Sequence, residues 1–263
     1  MKGYLAICKI RMKALLQYRA AAFAGICTQL FWGIVTTMIL AAFYKGVVGS
    51  EPLTLSQAFT FIWIGQAFVR VLPWDIDKEI ESLIKTGDVA YELVRPLHLY
   101  GVWYARSFAM RFVPAIMRSL PIFILSGCFF GLTAPVSWAA IGVFALSMIF
   151  ALLLSSAITT VIAISLFWTV SGDGIQRLLP HVVVLFSGMV VPLPLFPSWM
   201  QPFLNYQPFR GIMDIPCRLY TGIIPTSDAV YYLLFQVAWI VGIVVFGQWL
   251  IGRAMKRLVI QGG

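Results

Sequence analysis

The sequence predicts an all-α, polytopic membrane protein with six transmembrane helices. Three observations carry that class. Of 263 residues, 60% are hydrophobic and only 11% are charged, where a soluble domain carries about 25% charged residues. Mean hydropathy is +0.89. Six separate apolar runs each approach the ~20 residues that a helix needs to cross a ~30 Å hydrocarbon core. Together these exclude a soluble globular enzyme, a disordered chain and a disulfide-stapled secreted domain. Cys8, Cys27, Cys128 and Cys217 form no close pair, and with two histidines they make no zinc spacing, so all four are expected as free thiols.

Residues 1–18 read as an amphipathic helix. At 100° per residue Lys2, Lys9 and Lys13 share one stripe, while Tyr4, Ile7, Cys8, Ile10, Met12, Ala14, Leu15 and Tyr18 fill much of the rest. Such a helix lies in the membrane interface, as an anchor or as a strut beside a partner. Arg11 interrupts its apolar face and has to snorkel or find a counter-charge. No short apolar core leads to a cleavage site, so the segment is not read as a removable signal.

The predicted spans are 20–44, 53–72, 112–131, 138–170, 178–195 and 229–252. The fourth is longer than one perpendicular crossing needs, and tilt or extension beyond the bilayer absorbs the excess. An even count puts both termini on one side, and the Lys/Arg bias selects the cytoplasm. The inner side then holds Lys2, Lys9, Arg11, Lys13, Arg19, Lys78, Lys85, Arg95, Arg106, Arg111, Arg177, Arg253, Lys256 and Arg257, against Lys45, Arg210 and Arg218 outside. Arg70 and Arg118 fall inside spans near their inner ends.

Between spans two and three, residues 75–96 hold six of the ten acidic residues. Ile76, Ile80, Leu83 and Ile84 give a short helix one apolar face, and Glu81 with Lys85 makes an i,i+4 pair opposite. Gly87 ends that helix, Asp88 caps a second over 89–94, and Arg95-Pro96 stops it. This compact pair of helices is either a solvated connection or a docking surface. Between spans five and six lie seven prolines: Pro192, Pro194, Pro197, Pro202, Pro208, Pro216 and Pro225. The segment is too apolar for a free loop and too broken for one helix, which suits short helices dipping into the outer half of the bilayer.

Catalytic signals are sparse. No G-x-x-x-x-G-K-[ST] run and no H-E-x-x-H occurs, His98 and His181 are far apart, and no carboxylate falls mid-span. Ion-coupled pumps use intramembrane acids or histidines, so a proton- or sodium-driven mechanism is disfavoured. The uncharged polar residues of the spans, Ser155, Thr159 and Gln236 among them, suit helix packing.

The order of these features resembles the membrane (permease) subunit of an ABC transporter of the ABC-2 exporter family. The stretches EIESLIKTGDVAYELVRPL from Glu79 and SGMVVPLPLFP from Ser187 carry the likeness, and it extends over the whole chain as a single transmembrane domain, 1–263. The resemblance implies a coupling helix seated in a separate ATPase subunit, formed by Asp77, Lys78, Glu79, Ile80, Glu81, Ser82, Leu83, Ile84, Lys85 and Thr86 and closed by Gly87. It implies that 1–18 is the connecting helix and that 188–210, within an outer segment 188–227, forms re-entrant helices. There Gly188, Pro192, Pro194 and Pro197 would shape the outer gate, with Gln66, Phe68 and Phe186 as candidate substrate-path residues. It implies two ABC ATPase subunits and a second permease, identical or homologous, in the bacterial-type cytoplasmic (inner) membrane. The chain itself would bind no cofactor, with ATP and Mg on the partner ATPase, and no nucleic acid. The cargo would be a small or amphipathic molecule. The aromatic residues of the first two spans fit such a cargo and fit lipid equally. A membrane scaffold docking a cytoplasmic partner without transport is the alternative, and an integral membrane enzyme the third reading.

Overall fold

The computed structural model describes residues 2–46, 52–94, 96–169 and 173–256. The described residues are helical throughout, without strands: α1 (Lys2–Leu16), α2 (Arg19–Gly46), α3 (Leu55–Ala67), α4 (Lys78–Thr86), α5 (Val89–Leu93), α6 (Leu99–Phe129), α7 (Trp138–Ser165), α8 (Asp173–Phe186), α9 (Gln201–Tyr206), α10 (Asp214–Tyr220) and α11 (Ala229–Met255). Four of them, α2, α6, α7 and α11, are long and apolar enough to cross a membrane.

The predicted second and fifth spans are not single helices of membrane length. α3 has 13 residues and α8 has 14. At 1.5 Å per residue each covers about 20 Å, short of the ~30 Å core. Local chemistry sets both limits. Thr54 and Gln57 form a reciprocal capping box that starts α3 inside the apolar run, and the chain tightens into a 3-10 turn at Val69–Val71 before Pro73. α8 stops because Gly188 takes φ +87°, a left-handed turn open to glycine. The prolines beyond cannot resume it.

The third span starts earlier than predicted. α6 begins at Leu99, so Arg106 and Arg111 belong to a helix and are buried, not to an inner loop. A hydropathy window rejects 99–111 because of its arginines, yet Tyr100, Val102 and Trp103 on the same turns pack inward. The fourth span ends as a helix at Ser165 and turns over 166–168; Val170 lies outside the described residues.

α7 is the centre of the bundle. Of its apolar window 56% is buried, against 6% for α2, whose Phe23, Phe31, Met38 and Ile39 point outward. α7 packs on α11, α6 and α10. Lipid tails are as apolar as leucine, so close backbone approach and internal polar bonds have to hold such contacts. Gln236 of α11 donates to the carbonyls of Ser147 (3.1 Å) and Gly211 (2.7 Å), and Ser147 donates back at 3.0 Å. On α2, Gly33 lets the fully buried Trp63 ring of α3 approach the backbone where a Cβ would fall 2.5 Å from it, while Trp63 donates to the Phe130 carbonyl at 3.0 Å.

The two ends of the bundle differ. At one, Ile80 and Val89 of α4 and α5 pack with Leu99, Trp103, Ile164, Ile251 and Ala254. At the other, Ile215, Leu219, Ile224 and Ala229 join α10 to the start of α11. α1 runs along α6 at the α4 end, its Tyr4 hydroxyl accepting from the His98 amide at 3.0 Å. Leu5, Ile10 and Leu16 stay exposed, as do Lys2, Lys9 and Lys13.

Candidate functional site

The α4 hairpin forms where local sequence dictates. Asp77 caps α4, its carboxylate accepting from the Glu79 amide at 3.0 Å. Gly87 ends it at φ +81°. Lys85 donates to Glu81 at 2.6 Å. Ile80 is wholly buried, with Ile76, Leu83 and Ile84 partly covered beside it. Asp88 does not cap α5; it accepts from the Thr86 hydroxyl at 2.7 Å instead, and α5 ends at Leu93. The outward surface presents Lys78, Ser82, Lys85, Thr86 and Gly87, continued by Tyr91 and Val94 at the tip of α5.

A buried arginine fixes this hairpin to the bundle. Arg106 of α6 reaches Asp77 at 2.7 Å and Glu79 at 2.7 Å, with Glu92 of α5 at 3.9 Å. Trp103 donates to Glu92 at 3.1 Å. Arg106, Asp77 and Glu92 are all buried, whereas the Glu79 side chain is half exposed. Arg11 of α1 completes the set by pairing with Glu79, which is the counter-charge its position on an apolar face demands. Partial burial opposes charge on Glu79, but the hydrogen bond from Arg11 and the field of Arg106 outweigh it and hold the carboxyl below its ordinary value. Three helices, α1, α4 and α5, are thereby tied to one turn of α6.

A second feature is a cavity of about 520 Å³ among α2, α3, α6 and α8. Gln66 lines it, 7% exposed, with its Oε1 meeting no partner. Phe68 instead packs edge-on against Phe123 and Phe144, ring centres 5.8 and 5.9 Å away, and Phe186 against Phe203 at 5.4 Å. Of the three path residues expected from the sequence, the cavity gathers Gln66.

The residues expected at an outer gate lie in a tight, hydrogen-bonded turn. Pro192 is buried, Pro194 half-buried and Pro197 exposed. Gln201 donates to the Leu193 and Phe196 carbonyls at 2.9 and 3.0 Å, and Gln207 to the Phe186 carbonyl at 2.8 Å. The Asp214 amide closes the turn on the Ser187 carbonyl at 3.0 Å. Asp214 itself is fully buried between Arg210 (3.5 Å) and Arg218 (3.6 Å).

A sequence profile described as ABC-2 family transporter protein matches residues 30–262. The chain belongs to the ABC-2 transporter family. It is a multi-pass membrane permease, the membrane component of a transporter. Searches of curated proteins and of solved structures returned no match.

Several buried charged residues of this permease escape sequence reasoning. Arg106 and Glu92 act through contacts 11 to 29 residues apart. The available cue was stoichiometric: six carboxylates over 75–92 followed by two arginines in an otherwise apolar stretch. Arg111 is satisfied differently, by the Ser107 carbonyl (2.9 Å), the Asp75 carbonyl (3.1 Å), Ser155 (3.2 Å) and Thr159 (2.5 Å). The hydroxyls expected to serve helix packing solvate this guanidinium. Buried Asp214 was legible only as an acid in an outer segment.

Proposed function

We propose that this ABC-2 permease is a subunit of an ATP-driven exporter and that α4 is its coupling helix. The observation that carries the reading is the α4 hairpin: fastened to α6 from behind by Arg106, polar and exposed in front, with Tyr91 and Val94 exposed at its tip. Exposed apolar groups beside a capped polar helix favour a protein partner over solvent. No P-loop occurs in the sequence, so ATP and Mg belong to two partner ATPase subunits. Closure of those subunits pushes α4, and the Arg106 cluster passes the push to α6 and α1. A rigid element of this kind biases inward- against outward-open arrangements of the spans.

In this reading the chain is one transmembrane domain in the bacterial inner membrane, both termini in the cytoplasm, paired with a second permease copy or homologue. α3 and α8, with the turns that extend them, supply the two remaining crossings, and 188–210 dips into the outer leaflet. Gln66 lines the substrate path and the Gly188–Pro197 turn helps close its outer end. The test is to look for a P-loop ATPase encoded beside the permease and to ask whether the two co-purify. Charge reversal at Glu81, with Lys85 left in place, is expected to reduce ATPase assembly or coupled activity while the permease still folds. Unchanged assembly and transport would remove α4 from the coupling role.

A further inference from the structure

The cavity among α2, α3, α6 and α8 has a chemical character that the permease reading alone does not specify. Its cationic groups are Arg118 and Arg70. Arg70 is answered by Asp75 at 2.8 Å. Arg118 has no carboxylate partner among the described residues; it donates to the Ala21 carbonyl at 3.3 Å, and its Nε is buried without a partner. The guanidinium lies directly on α2 at Gly25, where a Cβ would fall 2.2 Å from Cζ. α2 therefore lacks a side chain where the charge passes. Gln66, more than nine-tenths buried, lines the cavity, and its Oε1 is an acceptor without a hydrogen bond, so it calls for a donor on the ligand. The remaining wall is mixed: Trp32, Val69, Trp74, Val184 and Met189 make an apolar side, and Thr28, Gln29 and Thr36 of α2 add uncharged polar groups. A net positive, partly desolvated head region with an apolar side is complementary to one ligand class.

We propose that this cavity binds an amphipathic phosphate, whose anionic oxygens accept from Arg118 and Arg70, whose P–O–H or head-group hydroxyl donates to Gln66 Oε1, and whose apolar body lies along Trp32, Val184 and Met189. Guanidinium is the side chain best shaped for such oxyanions, because its planar fork meets two oxygens at once. The volume, about 520 Å³, suits a head group and part of a chain. The proposal rests on the transport reading only for what happens to the ligand afterwards; binding needs this chain alone.

The test is equilibrium binding to the full-length permease in phosphatidylcholine nanodiscs, with dodecyl phosphate and dodecyltrimethylammonium as probes of equal chain length and opposite charge. The wild type is expected to bind the phosphate at least tenfold more tightly than the ammonium. Arg118→Gln is expected to lose at least tenfold in phosphate affinity and Arg118→Lys to recover part of it. Gln66→Leu, which leaves both arginines in place, is expected to weaken the phosphate several-fold and provides the readout should Arg118→Gln fail to fold. Nanodiscs containing phosphatidylglycerol assign the source: competition against dodecyl phosphate identifies a lipid head group, and its absence identifies a free amphiphile. Equal affinity for the two probes, or unchanged phosphate affinity in both Arg118→Gln and Gln66→Leu, would overturn the proposal. α4 variants that lose the ATPase are expected to keep this binding, so failure of the transport reading and failure of the site are separable.

Discussion

Replacing Arg106 with methionine should loosen α4 and α5 more than any other single change at that end of the bundle. The substitution keeps length and apolar contact but leaves Asp77, 7% exposed, without the cation it meets at 2.7 Å. Breaking a buried pair on one side costs about 3–5 kcal/mol, because the orphaned charge stays desolvated. Glu79→Gln removes a partner at the same 2.7 Å from Arg106, but one whose side chain is 54% exposed. Water already screens that contact, so the loss is on the order of 0–1 kcal/mol. Hydrogen exchange of the amides over 78–94 reads the difference as local opening. At about 1.4 kcal/mol per factor of ten, Arg106→Met should speed exchange by roughly 100-fold or more, and Glu79→Gln by less than about tenfold. Asp77→Asn isolates the ion pair, since asparagine caps a helix about as well as aspartate. The double variant Arg106→Met/Asp77→Asn should be less damaging than the two single effects added. Equal acceleration by Arg106→Met and Glu79→Gln would refute the assignment of burial as the deciding factor.

Other expectations use the same physics. Arg111→Met should cost less than Arg106→Met, because its acceptors are neutral and no buried counter-charge is stranded; thermal unfolding of the two variants side by side checks this. Gly87→Ala should cost about 1–2 kcal/mol from the left-handed backbone alone, since a Cβ there meets nothing within 4 Å; Gly87→Asn should recover part of it, read as protease resistance of 84–94. Gly33→Ala should destabilise by about 1–3 kcal/mol through overpacking, because the added Cβ falls 2.5 Å from the fully buried Trp63 ring; the unfolding midpoint reports it. Glu79 has a folded pKa below its ordinary 4.5, so its contribution is present above pH 4.5 and fades as the pH falls through the lower folded value. Protection factors at α4, taken relative to the intrinsic exchange rate at each pH, should therefore fall on acidification in the wild type, and the Glu79 share of that fall should vanish in Glu79→Gln.

What the sequence made legible was local. Asp77, Gly87 and the Glu81–Lys85 pair each act within a few residues, so cap, stop and ion pair fall where the pattern places them. Four membrane-length helices follow from hydropathy for the same reason. The lengths of α3 and α8 did not, because a hydropathy run counts apolar residues and is blind to Thr54, Gln57 and Gly188, which decide where helix begins and ends. The start of α6 was hidden by its own arginines, whose partners Asp77, Glu79, Ser155 and Thr159 are distant in sequence. The three residues expected on a substrate path were separated by packing: Gln66 reaches a cavity, while Phe68 and Phe186 are absorbed by neighbouring rings.

The central claim is that α4 is where this permease receives mechanical work from another polypeptide. Site-specific photocross-linking from position 82, on the exposed face of α4, in membranes containing a candidate partner P-loop ATPase, tests it most directly. The account predicts a permease–ATPase adduct whose yield changes when ATP is added, and no such adduct from position 199, near the opposite end of the bundle. An adduct from position 199 but not 82, or none from 82 in a transport-competent membrane, would contradict it.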